Sequence, residues 1–143
     1  MREREVVKRV AERLRIEGLM SLQVRYGHEQ GPDIEGMLPT CQRHLYIEAK
    51  GERTGGQESA KRRVALGEAL YQTLAVYDAD VVCAIALPFN AGYQRLLQKV
   101  LPGIRRLGLH VLLVRDDEIW HLAPTAPGFF PTKPKSLIEA LEQ

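Results

Sequence analysis

Gly31-Pro32-Asp33-Ile34 and Ile47-Glu48-Ala49-Lys50-Gly51, whose glutamate lies fifteen positions on from the aspartate, decide how this chain reads. The first piece is a turn that delivers an acid. The second has the pattern of a short apolar strand whose outer end carries a glutamate and a lysine. Side chains at i and i+2 of a strand share a face. Glu48 and Lys50 are therefore expected together, with Ile47 and Ala49 turned into the core. Two carboxylates from adjacent strands, Asp33 and Glu48, bind a hard cation such as Mg²⁺, which prefers oxygen ligands and keeps several waters. The Ala49 carbonyl is a candidate third oxygen. Such an ion polarises a phosphate oxygen and lowers the pKa of a bound water. Lys50 is placed to orient that water, stabilise charge developing on phosphorus, or act as base. A plainer reading stays open, in which Glu48 and Lys50 form only an exposed ion pair of little worth.

Working outward, Leu22–Tyr26 alternates as a strand, residues 27–31 make a polar loop, and Asp33–Leu38 and Leu45–Lys50 complete a three-stranded antiparallel meander. Before it, residues 2–17 have helical periodicity through Val6, Val7, Val10 and Leu14, with Gly18 to end the helix. Glu3 precedes Val6, Val7 and Val10 on that apolar stripe, so it is either a first-turn acid favoured by the helix dipole or a member of the site. After the meander, residues 51–56 read as a flexible polar connection.

Residues 57–77 then form one long helical pattern, with an apolar face of Ala60, Val64, Leu66, Leu70, Leu74 and Tyr77. Gly67 inside it costs about 1 kcal/mol against alanine and suggests close backbone packing. Val81–Leu87 is a continuous apolar run, as expected of a strand buried on both faces. A helix follows over residues 91–101, broken or kinked by Pro102-Gly103 before a last turn at 104–107. Leu109–Val114 is a second buried strand, parallel to the first through a right-handed crossover. Glu118–Leu122 is an edge strand, residues 123–135 a proline-punctuated tail, and Ser136-Leu137-Ile138-Glu139 a capping box for a short last helix. The order is α-βββ-α-β-α-β-β-α: an α/β chain with one mixed sheet flanked by helices, read as a single domain over residues 1–143.

Composition agrees with one ordinary globular core. A net charge of +2 is too small to identify an anionic partner, so any nucleic-acid argument rests on clustering of the basic residues. No apolar run is long enough for a bilayer, and Arg2-Glu3-Arg4-Glu5 is the wrong start for a signal peptide. Cys41 and Cys83 have no CxxC spacing, and His28, His44, His110 and His121 no zinc spacing. A cytoplasmic protein with no membrane contact is expected.

Gly-Pro-Asp33 followed by Tyr46-Ile47-Glu48-Ala49-Lys50-Gly51 resembles the PD-(D/E)xK motif of the restriction-endonuclease-like nuclease superfamily, in its Holliday-junction-resolvase, Mrr and RecB-like branch. The resemblance covers residues 1–115, and the superfamily's core order matches the one read above. It implies a Mg²⁺-dependent nuclease, with Mn²⁺ as substitute, acting on DNA, RNA not being excluded. Asp33 and Glu48 match the metal-binding acids and Lys50 the motif lysine. A first-helix glutamate in many members is similar to Glu3. Gln72 and Tyr77 resemble a glutamine and tyrosine of RecB-like members at a spacing one residue too wide. Glu68 stands where relatives often carry glutamine, and is an accessory site residue or a surface acid.

Arg53, Lys61, Arg62 and Arg63, with Arg25 behind them, are the candidate phosphate contacts, which position a strand without reading its sequence. The same run also reads as a solvated turn. Three functions follow: the nuclease; a catalytically inactive nucleic-acid-binding or interaction module on the same fold; and a hydrolase of another phosphate ester. The apolar edge strand and proline-rich tail are compatible with a homodimer.

Overall fold

The computed structural model describes residues 1–27 and 30–143. His28, in the polar loop over residues 27–31, lies outside the described residues. Six strands form one mixed sheet in sequential order, β1 (Met20–Val24), β2 (Ile34–Met37), β3 (His44–Ala49), β4 (Val81–Pro88), β5 (His110–Arg115) and β6 (Glu118–Leu122). The first three are an antiparallel meander. β3, β4 and β5 run parallel, and β6 returns antiparallel. Helix α1 (Glu3–Glu17) precedes the meander, α2 (Glu58–Val76) and α3 (Ala91–Arg106) make the two crossovers, and α4 (Leu137–Glu142) closes the chain.

Strand alternation divides the core. Leu45, Ile47 and Ala49 of β3 join Val82, Ala84 and Ala86 of β4 beneath α1 and α4. Cys83, Ile85 and Leu87 pack on the other face with α2 and α3. Glu48 and Lys50 therefore belong to the α2 face, as the period of two requires.

Four local features differ from the sequence reading. β1 starts at Met20, because Ser21 takes a positive φ and a register irregularity between Met20 and Gln23 shifts the pairing with β2. The buried stripe of α2 is Ala65, Leu66, Ala69 and Thr73, while Val64, Leu74 and Tyr77 face outward. Ala65, Ala69 and Thr73 bring that helix close to the sheet beside the buried Leu66, and Val64, Leu74 and Tyr77 are left outside. Gly67 has open space where a Cβ would stand, so close packing does not explain it. Finally, α3 continues through Pro102 to Arg106. Burial of Leu101 and Ile104 on its inner face holds the last turn, and Leu109 N–H caps it by donating to the Ile104 carbonyl at 3.1 Å.

At the β6 edge, His121 and Thr132 exchange backbone hydrogen bonds of 2.7 and 3.0 Å, so the proline-rich tail covers part of the exposed strand. Among the described residues no helix is long and apolar enough to cross a membrane.

Candidate active site

Pairing of Ile34 with Ile47 sets Asp33, one step before β2, across from Glu48, one step further along β3. The Asp33 carboxylate is fixed there by the Ala49 N–H, which donates to Oδ2 at 2.8 Å. Glu48 is 6% exposed and Lys50 8%, so neither is a surface residue. Burial pushes the Glu48 carboxyl up to about 8, and the adjacent Asp33 charge and hydrogen bond push the same way. Lys50 opposes the shift, and the charge of Glu3 adds to it. Asp33 is raised too, by burial first, with the Ala49 N–H offsetting part of it. Two acids this close and this dry hold a proton between them unless a cation replaces it.

Lys50 does not pair with Glu48 in the exposed bridge that the plainer reading required. Its Nζ donates to Glu68 Oε2 at 3.1 Å and lies 3.7 Å from Glu3 Oε1. Glu68 also accepts from Arg53 at 2.8 Å. The N-terminus of α1, the outer end of β3 and the middle of α2 thus converge on one lysine, and Glu3 and Glu68 both belong to the site.

The reason α1 reaches this point is Gly51. A Cβ there would lie 2.1 Å from the Glu3 backbone nitrogen, so only glycine lets helix and strand end approach. Glu52 N–H donates to the Met1 carbonyl at 2.8 Å, which ties the same segment to the chain start. The expected flexible connection is accordingly rigid at its first two residues. Glu52 accepts from Arg62 Nε at 2.8 and 3.0 Å and from Asn90 Nδ2 at 2.6 Å. Buried Tyr93 donates its hydroxyl to the Gly51 carbonyl at 2.9 Å. These partners were missed as site supports. Asn90 is legible as a helix N-cap, accepting from Tyr93 N–H at 2.9 Å, but its second contact is purely tertiary.

Of the four candidate phosphate contacts, Arg62 is half-buried and donates to Glu52. Lys61 donates to the Thr54 carbonyl, Arg53 pairs with Glu68, and Arg63 is exposed with no partner among the described residues. Arg25 is held by Glu35 at 2.9 Å and by the Pro32 carbonyl at 3.0 Å. Gln72 lies beside Glu48 along a groove wall, whereas Tyr77, at the C-cap of α2, lines a cleft with His110 at the other end of the sheet.

No group of three His, Cys, Asp or Glu side chains among the described residues makes a closed metal shell. The donor set is instead two buried carboxylates beside the Ala49 peptide. It fits a hard ion that takes one or two carboxylates and keeps its waters. No known protein family matches the chain, and no curated protein matches it.

Proposed function

We propose that this protein is a Mg²⁺-dependent nuclease that hydrolyses DNA phosphodiester bonds, Mn²⁺ serving in place of Mg²⁺. The observation that carries the reading is the meeting of Asp33, Glu48, Lys50 and Glu3 at one buried strand end, three of them in the pattern that resembles PD-(D/E)xK. A divalent ion held by Asp33 and Glu48, with the Ala49 carbonyl, would supply Lewis-acid activation of the scissile phosphate and of the attacking water.

The chain's own groups do the rest. The Ala49 N–H holds Asp33 in one orientation, so the two acids need little rearrangement to take a cation. Lys50 points its ammonium into the same space, where it stabilises the negative charge gathering on the phosphoryl oxygens. Glu68 and Glu3 fix that ammonium, and Glu3 is a candidate acceptor for the proton of the attacking water. Arg53, paired with Glu68 at the edge of this cluster, and the exposed Arg63 favour the approach of a polyanion.

The non-catalytic module has one observation on its side, the lack among the described residues of a third acid close enough to close a metal shell. Incubation with linear, nicked, branched and single-stranded DNA, and with RNA, in Mg²⁺ or Mn²⁺ separates the two. The nuclease predicts cleavage that Asp33→Ala, Glu48→Ala and Lys50→Ala abolish while circular dichroism stays native. Full activity in Lys50→Ala refutes the assigned roles. Salt-sensitive binding without cleavage of any substrate selects the module.

A further inference from the structure

Glu48 opens onto a groove of about 520 Å³ whose other walls are Tyr71, Gln72, Ala75 and Val76 of α2 and Gly27, Gln30 and Gly31 of the β1–β2 connection. Resting on the nuclease reading, we propose that this groove takes an unpaired base next to the scissile phosphate, stacked on Tyr71, and that the substrate is a single-stranded or frayed strand.

Three observations lead there. First, Tyr71 is 76% exposed, a large aromatic side chain left in water on a helix whose inner face is already packed. Residues 68, 71, 72, 75 and 76 recur at helical steps, so Tyr71 and Gln72 stand one turn beyond Glu68, the partner of Lys50. Second, apart from Glu48 the described lining is uncharged, and the Arg25 guanidinium packed against Gly31 is already held by Glu35 and the Pro32 carbonyl. Among the described lining residues a phosphate meets no cation, and Glu48 repels it, whereas a neutral base has an aromatic face and two side-chain amides to use. Third, the wall across from α2 includes Gly27, at positive φ and with open space where a Cβ would stand, which leaves room for a planar ring.

The cations lie the other way along the helix. Lys61 precedes Tyr71 by ten residues, about 15 Å at helical rise. That is the reach of a few nucleotides of one strand. A strand lying along α2 would thus meet cations, then the acids and Lys50, then the aromatic groove. Base stacking tolerates every base, so the site selects an unpaired strand and not a sequence.

The test measures anisotropy of a labelled 12-nucleotide single strand and of a blunt duplex of equal length, in Ca²⁺, with wild type, Tyr71→Ala and Tyr71→Phe. Tyr71→Ala should weaken single-strand binding about 5- to 150-fold, Tyr71→Phe should restore it, and duplex binding should change less than about twofold. A 2-aminopurine in the strand should be quenched by wild type and by Tyr71→Phe but not by Tyr71→Ala. Equal effects on both substrates, or none on the single strand, overturn the proposal. So does a shift in sedimentation with Tyr71→Ala, which would make this face a contact between two copies of the chain. Metal-dependent cleavage that survives Tyr71→Ala on every substrate, yet is lost in Asp33→Ala, overturns the base groove and leaves the nuclease standing. A chain that neither binds nor cuts any nucleic acid overturns both.

Discussion

Replacing Glu48 with glutamine should make the protein more stable and catalytically dead. Burial and Asp33 lift the Glu48 carboxyl from an ordinary 4.5 to about 8. A carboxyl raised in the folded state binds a proton that the unfolded chain has already released, so stability falls as pH rises from 4.5 to 8. The two and a half pH units between 4.5 and 7, at about 1.4 kcal/mol each, place this loss at about 3 kcal/mol at neutral pH. Glutamine keeps the shape, removes the titration and can still donate to Asp33. Glu48→Gln should therefore gain roughly 2–3 kcal/mol at pH 7 and as much as about 5 at pH 8.5, and nothing below pH 4.5. For a domain of this size that is a rise in Tm of about 10 °C at pH 7. The assay is urea or thermal denaturation from pH 4 to 9 in EDTA, repeated in Mg²⁺. An ion that binds the two acids should raise wild-type stability, most at high pH, and leave Glu48→Gln nearly unmoved. Parallel pH profiles for the two proteins would refute the reasoning, because the acid pair would then carry no penalty for a cation to relieve.

The half-buried Arg62 and the exposed Arg63 should separate cleanly. Arg62→Ala strips Glu52 of its cation and should cost about 1–3 kcal/mol in denaturation. Arg63→Ala should be within about 0.5 kcal/mol of wild type but lower the salt slope of DNA binding by about one. His110 and His121 meet at 2.8 Å in the interior, and burial, with His121 and then Arg43 adding to it, pushes His110 down to about 3. A histidine depressed in the folded state contributes stability that is lost as pH falls below about 6.5, so acid unfolding should steepen by roughly 1.4 kcal/mol per pH unit between 6.5 and 3. His110→Gln should flatten that limb in acid denaturation followed by circular dichroism. Gly67→Ala, with open space at the Cβ, should stabilise by about 1 kcal/mol, whereas Gly51→Ala should destabilise by about 1–3 kcal/mol and reduce cleavage, both read by thermal melts.

The meander, the crossover joining Val81–Leu87 to Leu109–Val114 and the capping box at Ser136 were legible because each is carried by a local signal: period two, continuous apolar runs, or a cap residue at fixed spacing. Asp33, Glu48 and Lys50 were legible for the same reason, since the alternation of one strand sets which face they share. The phase of α2 was legible only in part, through Leu66 and Leu70, which do face the core. Val64, Leu74 and Tyr77 are larger than Ala65, Ala69 and Thr73, yet it is these small residues, with Leu66, that are buried. Periodicity finds an apolar stripe but does not weigh it against the closeness a sheet demands. Glu52, Arg62 and Asn90 escaped because their meeting joins three elements far apart in sequence. Arg62 also stands in a run of three basic residues, Lys61, Arg62 and Arg63, and nothing in that run tells which one turns inward.

That misplaced phase and the hidden cluster explain each other. Glu68 can reach Lys50 only because small residues at 65, 69 and 73 let α2 settle close to β3. The same settling brings Arg62 down onto Glu52 and over Gly92, where a Cβ would lie 2.4 Å from its guanidinium. One face of α2 thereby holds both the lysine and the segment that follows it. The opposite price is the outward turn of Val64, Tyr71 and Leu74. A helix positioned to hold Lys50 must present Tyr71 beside Glu48, so the exposed aromatic is a consequence of how the site is built. A variant in which Ala65 or Ala69 is enlarged to leucine should lift α2, weaken the Lys50–Glu68 contact and withdraw Tyr71 together. If the groove and the acid cluster respond independently to that change, they are not parts of one device.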